Sequence, residues 1–141
     1  MEILSYIKSF HGYWALVTVT LLIILAAISI YSYLYKKEIN YKVVKLSFYA
    51  TLAVHIQMLV GVAMLFLNKS HIQNLGNKID GKIANIEHFI SMFTVVLLIT
   101  IFNAKVKKSD TITGFMLVLI IVSLLMSARV FPLLISVLER I

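Results

Sequence analysis

The sequence contains no cysteine and only one proline among its 141 residues. Without thiols the chain cannot carry out disulfide exchange, ligate an iron–sulfur cluster or attach a c-type haem covalently. Acidic residues are also scarce, with six Asp and Glu in total, and we identify no nucleophile or carboxylate pair inside the apolar segments. These absences argue against an enzyme acting on its own. Any redox reaction would need a carrier other than cysteine chemistry.

Apolar residues dominate instead, at 61% of the chain, and the mean hydropathy is +0.98. They form four continuous blocks, each near the ~20 residues that a helix needs to cross ~30 Å of hydrocarbon. The blocks cover residues 13–35, 43–67, 83–104 and 112–138. Because they lack the alternation of barrel strands, we predict an all-α fold. The expected architecture is one domain, residues 1–141, forming a transmembrane antiparallel four-helix bundle.

The connections between the blocks support this topology. Those after the first and third blocks are short and polar, so consecutive helices should be antiparallel neighbours. The one sizeable connection, residues 68–82, is polar and contains glycine, as expected of a surface loop. The first block has no small-residue cleavage site and is therefore expected to stay in the mature protein.

Basic residues are distributed unevenly between the two ends of the predicted bundle. The connections after the first and third blocks hold seven lysines against Glu38 and Asp110, a net charge of +5. The opposite end holds five basic against four acidic residues, a net charge of +1 before Arg129 is counted. Because basic loops stay in the cytoplasm, both termini should lie outside. Membrane orientation accounts for the overall charge of +7 without a nucleic-acid partner.

Four ionisable residues lie within or beside the apolar blocks: His11, His55, His88 and Arg129. An ionisable side chain in lipid is costly unless it is paired or used, so each is a candidate site residue. Arg129 requires an anion, which Glu87, a lipid phosphate or a cofactor carboxylate could supply. Pro132 should kink or end the fourth helix just beyond it. Alternatively, Arg129 extends to the outer interface and His11 belongs to an aromatic interface belt.

The three histidines suggest a haem site. Counted at ~1.5 Å per residue from the lysine-rich end, His55 lies at ~15 to 20 Å, His88 at ~25 Å and His11 at ~36 Å. Imidazoles on facing helices can hold a haem iron from both sides, and a cation can meet the propionates. We expect His55 and one outer histidine, His88 in preference to His11, to ligate the iron of a haem b, with Arg129 near the propionates. His11 with His88 is the alternative pair, in which case His55 serves packing or proton transfer.

The second block also carries a seam of small and polar residues on the side away from His55. Ala53, Gln57 and Gly61 share this side at helical spacing. Small residues and amides bring helices together in lipid. Gln57 and Gly61 are therefore predicted to lie at a helix–helix or subunit interface.

Four segments carry a wider resemblance: FHGYWALVTV from Phe10, HIQMLVGVAMLF at 55–66, IEHFISMFTVVLLIT at 86–100 and SARVFP at 127–132. Together they resemble a family of small four-helix integral membrane proteins of Bacteroidetes that are often described as cytochrome b-like. The resemblance spans nearly the whole chain and includes the histidines at positions 11, 55 and 88. Two details differ: EHF stands where the family has a histidine–proline pair, and VFP stands where isoleucine–proline–tryptophan is usual.

This resemblance implies a multi-pass protein of the bacterial inner membrane that binds haem b and takes part in electron transfer, with quinone as a possible redox partner. Two functions from different classes stay open. The first is this electron-transfer haem protein. The second is a non-catalytic accessory or assembly subunit of a larger inner-membrane complex, in contact with membrane lipid and other subunits. In the second case the histidines are packing or proton-relay groups.

Overall fold

The computed structural model describes residues 2–67 and 79–127, and within these ranges it contains four α-helices and no strand. Helix α1 covers Glu2–Leu34, α2 covers Tyr41–Leu67, α3 covers Ile79–Val106 and α4 covers Gly114–Ser127. The all-α class is thereby confirmed. Helices α1 and α3 begin earlier than the predicted starts at residues 13 and 83. Arg129, Pro132 and most of the predicted 68–82 loop lie outside the described residues.

Three of these helices are long and apolar enough to cross a membrane. The candidate spans are Ile3–Leu34, Tyr41–Leu67 and Glu87–Val106, with mean hydropathies of 2.4, 2.0 and 2.0. The described part of α4 is a shorter apolar helix. Large apolar side chains such as Ile3, Leu59 and Phe66 are exposed along the outside of the helices. So much exposed apolar surface would be costly in water, and it is typical of a multi-pass membrane protein.

Each helix packs mainly against two others: α1 and α3 each contact α2 and α4. Helices α1 and α3, which carry His11 and His88, therefore have α2 between them on one side and α4 on the other. The core joins all four helices and includes Leu25, Val54, Phe102 and Ile120, all fully buried. Ser47 of α2 adds a polar contact by donating a hydrogen bond to Asn103 Oδ1 of α3 at 2.8 Å. Such contacts between helices are typical of membrane proteins.

The two short connections meet at one end of the molecule. Helix α1 closes at Lys36, whose φ of 49° is unusual for a residue other than glycine. The amide of Lys37 bonds to the Ser32 carbonyl at 2.9 Å, which is the hydrogen bond of a Schellman cap. The amide of Ile39 then bonds to the carbonyl of Asp110 at 2.6 Å, so the α1–α2 connection is fixed to the α3–α4 connection. The lysines of both connections are therefore held on one face.

Candidate functional site

The candidate site lies where α1, α2 and α3 approach one another, towards the end opposite the lysine-rich connections. His11 comes from α1, Gln57 from α2 and His88 from α3. The ring centres of His11 and His88 are 6.4 Å apart, and the ring planes are inclined by 78°. The structure thus brings two of the three predicted histidines together, from helices that are not sequence neighbours.

Helical spacing explains why α1 presents His11 to α2. His11, Trp14 and Thr18 lie on one side of α1 at intervals of three and four residues. The Trp14 indole N–H donates a hydrogen bond to the Ala53 carbonyl of α2 at 3.0 Å, and the Thr18 hydroxyl lies 3.5 Å from the same oxygen. Ala53 stands four residues before Gln57 on the seam identified in the sequence, so these bonds set the seam against α1.

Gln57 fixes the imidazole of His11 through two contacts. Its Nε2 lies 3.2 Å from the backbone carbonyl oxygen of His11 and 3.2 Å from His11 Nε2. Because a carbonyl oxygen only accepts, the first contact identifies the amide nitrogen of Gln57 as the atom on this side. The amide then donates to His11 Nε2, and the proton of a neutral His11 ring must be carried by Nδ1.

Two buried polar atoms of this pair have no hydrogen-bond partner within the part of the chain that the structure describes. They are Nδ1 of His11 and Oε1 of Gln57. Gln57 is only 3% exposed, so water does not readily compensate its free oxygen. A buried polar group without a partner costs roughly 1 to 3 kcal/mol. The site therefore presents an open Nδ1–H donor on His11 and an open acceptor on Gln57.

Gly61 provides the space that the His11 ring occupies. A Cβ atom built on Gly61 would lie 3.2 Å from Cε1 of His11 and 3.9 Å from its Nδ1. The shorter distance is less than the ~3.5 to 4.0 Å of a relaxed carbon–carbon contact. A side chain at position 61 would consequently press on the imidazole. Gln57 and Gly61, both expected at an interface, thus contact the same histidine of the neighbouring helix.

His55 is directed differently. Its Nδ1 lies 2.8 Å from the carbonyl oxygen of Thr51, four residues earlier on the same helix, and the side chain is half-buried. Such a bond to the preceding turn holds a polar group within its own helix. His55 therefore faces away from the seam that contacts His11.

The remaining predicted site residue, Arg129, lies outside the described residues, as does any contact it makes. Within residues 2–67 and 79–127, no group of three or more His, Cys, Asp or Glu side chains is arranged to hold a metal ion. The side chains in the described part that could bind a metal together are the imidazoles of His11 and His88. A metal at Nδ1 would require the ring proton to move to Nε2 and the Gln57 amide to turn its Oε1 towards that proton, because a metal-bound nitrogen carries no proton.

Sequence reasoning missed the bonds that build this site. It placed Gln57 and Gly61 on one side of α2 but did not identify His11 as their partner. It also did not identify the bond from the Trp14 indole to the Ala53 carbonyl, which joins the two helices. The signal that could have found both was the matching spacing of His11, Trp14 and Thr18 on α1 with Ala53, Gln57 and Gly61 on α2.

Comparisons with protein-family models, curated proteins and solved structures found no match to this chain. The functional argument therefore rests on the site itself.

Proposed function

We propose that this chain is an inner-membrane b-type haem protein that takes part in electron transfer, with His11 and His88 as the residues that would hold the haem iron. One observation carries the proposal: the 6.4 Å between the two ring centres. Imidazole nitrogens bind metal ions at ~2 Å, so two rings that face one metal from opposite sides have centres about 6 Å apart. Of the three pairings that the sequence left open, this spacing favours His11 with His88.

Two further features of the site fit the group. His11 Nδ1 is buried without a partner among the described residues, and it would serve as a ligand atom once the ring proton moves to Nε2 and the Gln57 amide turns to accept it. Gly61 leaves room for the ring to pack against α2. When bound, haem supplies one-electron redox chemistry that no side chain here can provide. Gln57 would hold the His11 ring in place, and the apolar residues of the helices would limit access of water. Arg129 is proposed to meet the propionates.

The proposed frame is an antiparallel transmembrane four-helix bundle, supported by the contacts of α1 and α3 with both α2 and α4. The lysine-rich connections favour a cytoplasmic location for that end and a periplasmic location for both termini. The histidine pair would then lie in the periplasmic half of the bundle. A membrane quinone is the proposed redox partner because it reaches a site among spanning helices from within the bilayer.

The accessory-subunit function has less support from the contacts of the seam. Gln57 and Gly61 suggested a surface for another subunit, yet both contact His11 of the same chain. Packing within one chain therefore accounts for these two residues. His55, with its bond to Thr51, is proposed to be a packing residue.

Replacing each histidine by alanine tests the proposal. The purified protein, expressed with ample haem, should contain close to one haem per chain and give the visible spectrum of low-spin haem b. Loss of an axial ligand abolishes or shifts that spectrum, so His11→Ala and His88→Ala should lose it. His55→Ala is the matched control and should retain it. A well-folded protein without haem would contradict the proposal and favour the accessory subunit.

A further inference from the structure

The lysine-rich end carries a second feature that the haem proposal does not use. Seven exposed lysines lie on the two connections and the adjoining helix turns: Lys36, Lys37, Lys42, Lys45, Lys105, Lys107 and Lys108. The bond between Ile39 and Asp110 and the bridge between Glu38 and Thr111 hold both connections together. The positive charges therefore belong to one fixed surface rather than to two independent loops.

The lysines of this surface are not neutralised by carboxylates. Within the described ranges, none of them forms a salt bridge, although Glu38 and Asp110 lie on the same connections. The net charge of seven lysines against these two acids is +5. Such a surface attracts anions, and its field extends roughly 8 to 10 Å at physiological salt.

Three of the lysines lie over aromatic rings instead. Lys45 Nζ is 5.9 Å from the ring centres of both Tyr41 and Tyr49, and Lys107 Nζ is 5.6 Å from that of Phe48. The rings of Phe48 and Tyr49 contact each other with centres 5.7 Å apart. Lys45 of α2 and Lys107 at the end of α3 thus flank one pair of exposed aromatic rings.

Lys105 repeats the arrangement on the other side of α3, where its Nζ lies 6.0 Å from the ring centre of Phe115. Aromatic rings beside lysines are suited to the interface between hydrocarbon and headgroups, where the ring meets the acyl region and the ammonium meets phosphate. The exposed Phe48 and Tyr49 side chains extend this surface along the apolar face of α2.

We propose that Lys45 and Lys107, with the Phe48–Tyr49 pair between them, form a binding site for the headgroup of an anionic phospholipid. The site rests on the proposed membrane placement but is independent of haem. The phosphate would lie against one ammonium group, the second ammonium group would attract the headgroup charge from the other side of the ring pair, and the upper acyl chain would lie along the rings. An anionic headgroup is favoured over a zwitterionic one because the surface has a net charge of +5, which attracts a net negative headgroup and repels the cationic group of a zwitterionic one.

Lipid titration of the purified protein in neutral detergent, followed by native mass spectrometry, tests this site. The probes are phosphatidylglycerol and phosphatidylcholine. We expect the intact protein to retain phosphatidylglycerol preferentially. A lysine near an anionic surface contributes roughly fivefold in affinity, so Lys45→Gln/Lys107→Gln should weaken binding of phosphatidylglycerol roughly 25-fold. The variant Lys45→Arg/Lys107→Arg should retain the binding of phosphatidylglycerol.

The matched control removes the same charge at the other end of the helices, as Lys8→Gln/Lys82→Gln. The loss of affinity for phosphatidylglycerol in this control should be at least tenfold smaller than the loss in the site variant. If the site variant does not fold, Lys107→Gln alone should still weaken binding of phosphatidylglycerol roughly fivefold. An equal loss in the control, an unchanged affinity in the site variant, or no preference of the intact protein for phosphatidylglycerol would overturn the proposal. Haem content is not part of these measurements, so failure of the haem proposal gives a separate result.

Discussion

Replacing Gly61 by alanine should destabilise the protein through a single contact. The new methyl group would lie 3.2 Å from Cε1 of His11, so the imidazole or the helix must shift by a few tenths of an ångström. The ring cannot shift freely because the Gln57 amide holds both its Nε2 and the adjoining carbonyl at 3.2 Å. Overpacking of this kind costs roughly 1 to 3 kcal/mol.

Alanine also stabilises a helix by roughly 0.5 to 1 kcal/mol relative to glycine, and this gain must be separated from the clash. Gly12, one residue from His11, is the matched control because a Cβ there has nothing within 4 Å. Gly12→Ala should therefore be neutral or stabilising. The difference between the two variants should be roughly 1 to 3 kcal/mol in the free energy of unfolding.

The assay is denaturant unfolding in mixed micelles, monitored by fluorescence of Trp14, the one tryptophan of the chain. Trp14 stacks on Phe10 with ring centres 5.7 Å apart and is bonded to Ala53 of α2, so it reports separation of α1 from α2. In a His11→Ala background the penalty of Gly61→Ala should disappear. A penalty that persists there, or a Gly61→Ala variant as stable as Gly12→Ala, would refute the contact.

Three further predictions concern other parts of the molecule. Because the chain has no native cysteine, single cysteines introduced at Ser70 and Ser109 can report orientation. An impermeant reagent applied to intact cells should label position 70 and not position 109. The reverse pattern would show the opposite topology. Ser47→Ala should cost about 1 kcal/mol because it leaves Asn103 Oδ1 without its 2.8 Å hydrogen bond, and unchanged unfolding would contradict that role. Gln57→Leu removes both contacts with His11 together with the unpartnered Oε1, so it should destabilise the native protein more than it destabilises the His11→Ala variant, and equal effects in the two backgrounds would show that the two side chains are uncoupled.

The helices themselves were largely predictable from the sequence. Continuous apolar runs with short polar connections allow little besides helices in lipid, and the predicted block 43–67 closely matches α2 at Tyr41–Leu67. The starts of α1 and α3 were less predictable. Hydropathy detects only the apolar residues, whereas each of these helices begins before its apolar block does. Helix α1 accordingly includes the charged residues Glu2 and Lys8.

The pairing of histidines was harder to predict. Counting the rise along separate straight helices gave His11 and His88 different depths and favoured His55 as the partner of His88. That count includes neither the tilt of the helices nor the direction of each side chain. The direction depends on bonds between helices, here those from Trp14 to Ala53 and from Gln57 to His11. No periodicity within α2 alone distinguishes the side that meets α1 from the side that carries His55.

The measurement that tests the central claim most directly is the electron paramagnetic resonance spectrum of the oxidised, haem-loaded protein. If His11 and His88 hold the iron, each imidazole is needed for a low-spin haem. The account therefore predicts a low-spin signal that survives His55→Ala and is lost in His11→Ala and in His88→Ala. A low-spin signal that survives His11→Ala and is lost in His55→Ala would contradict it.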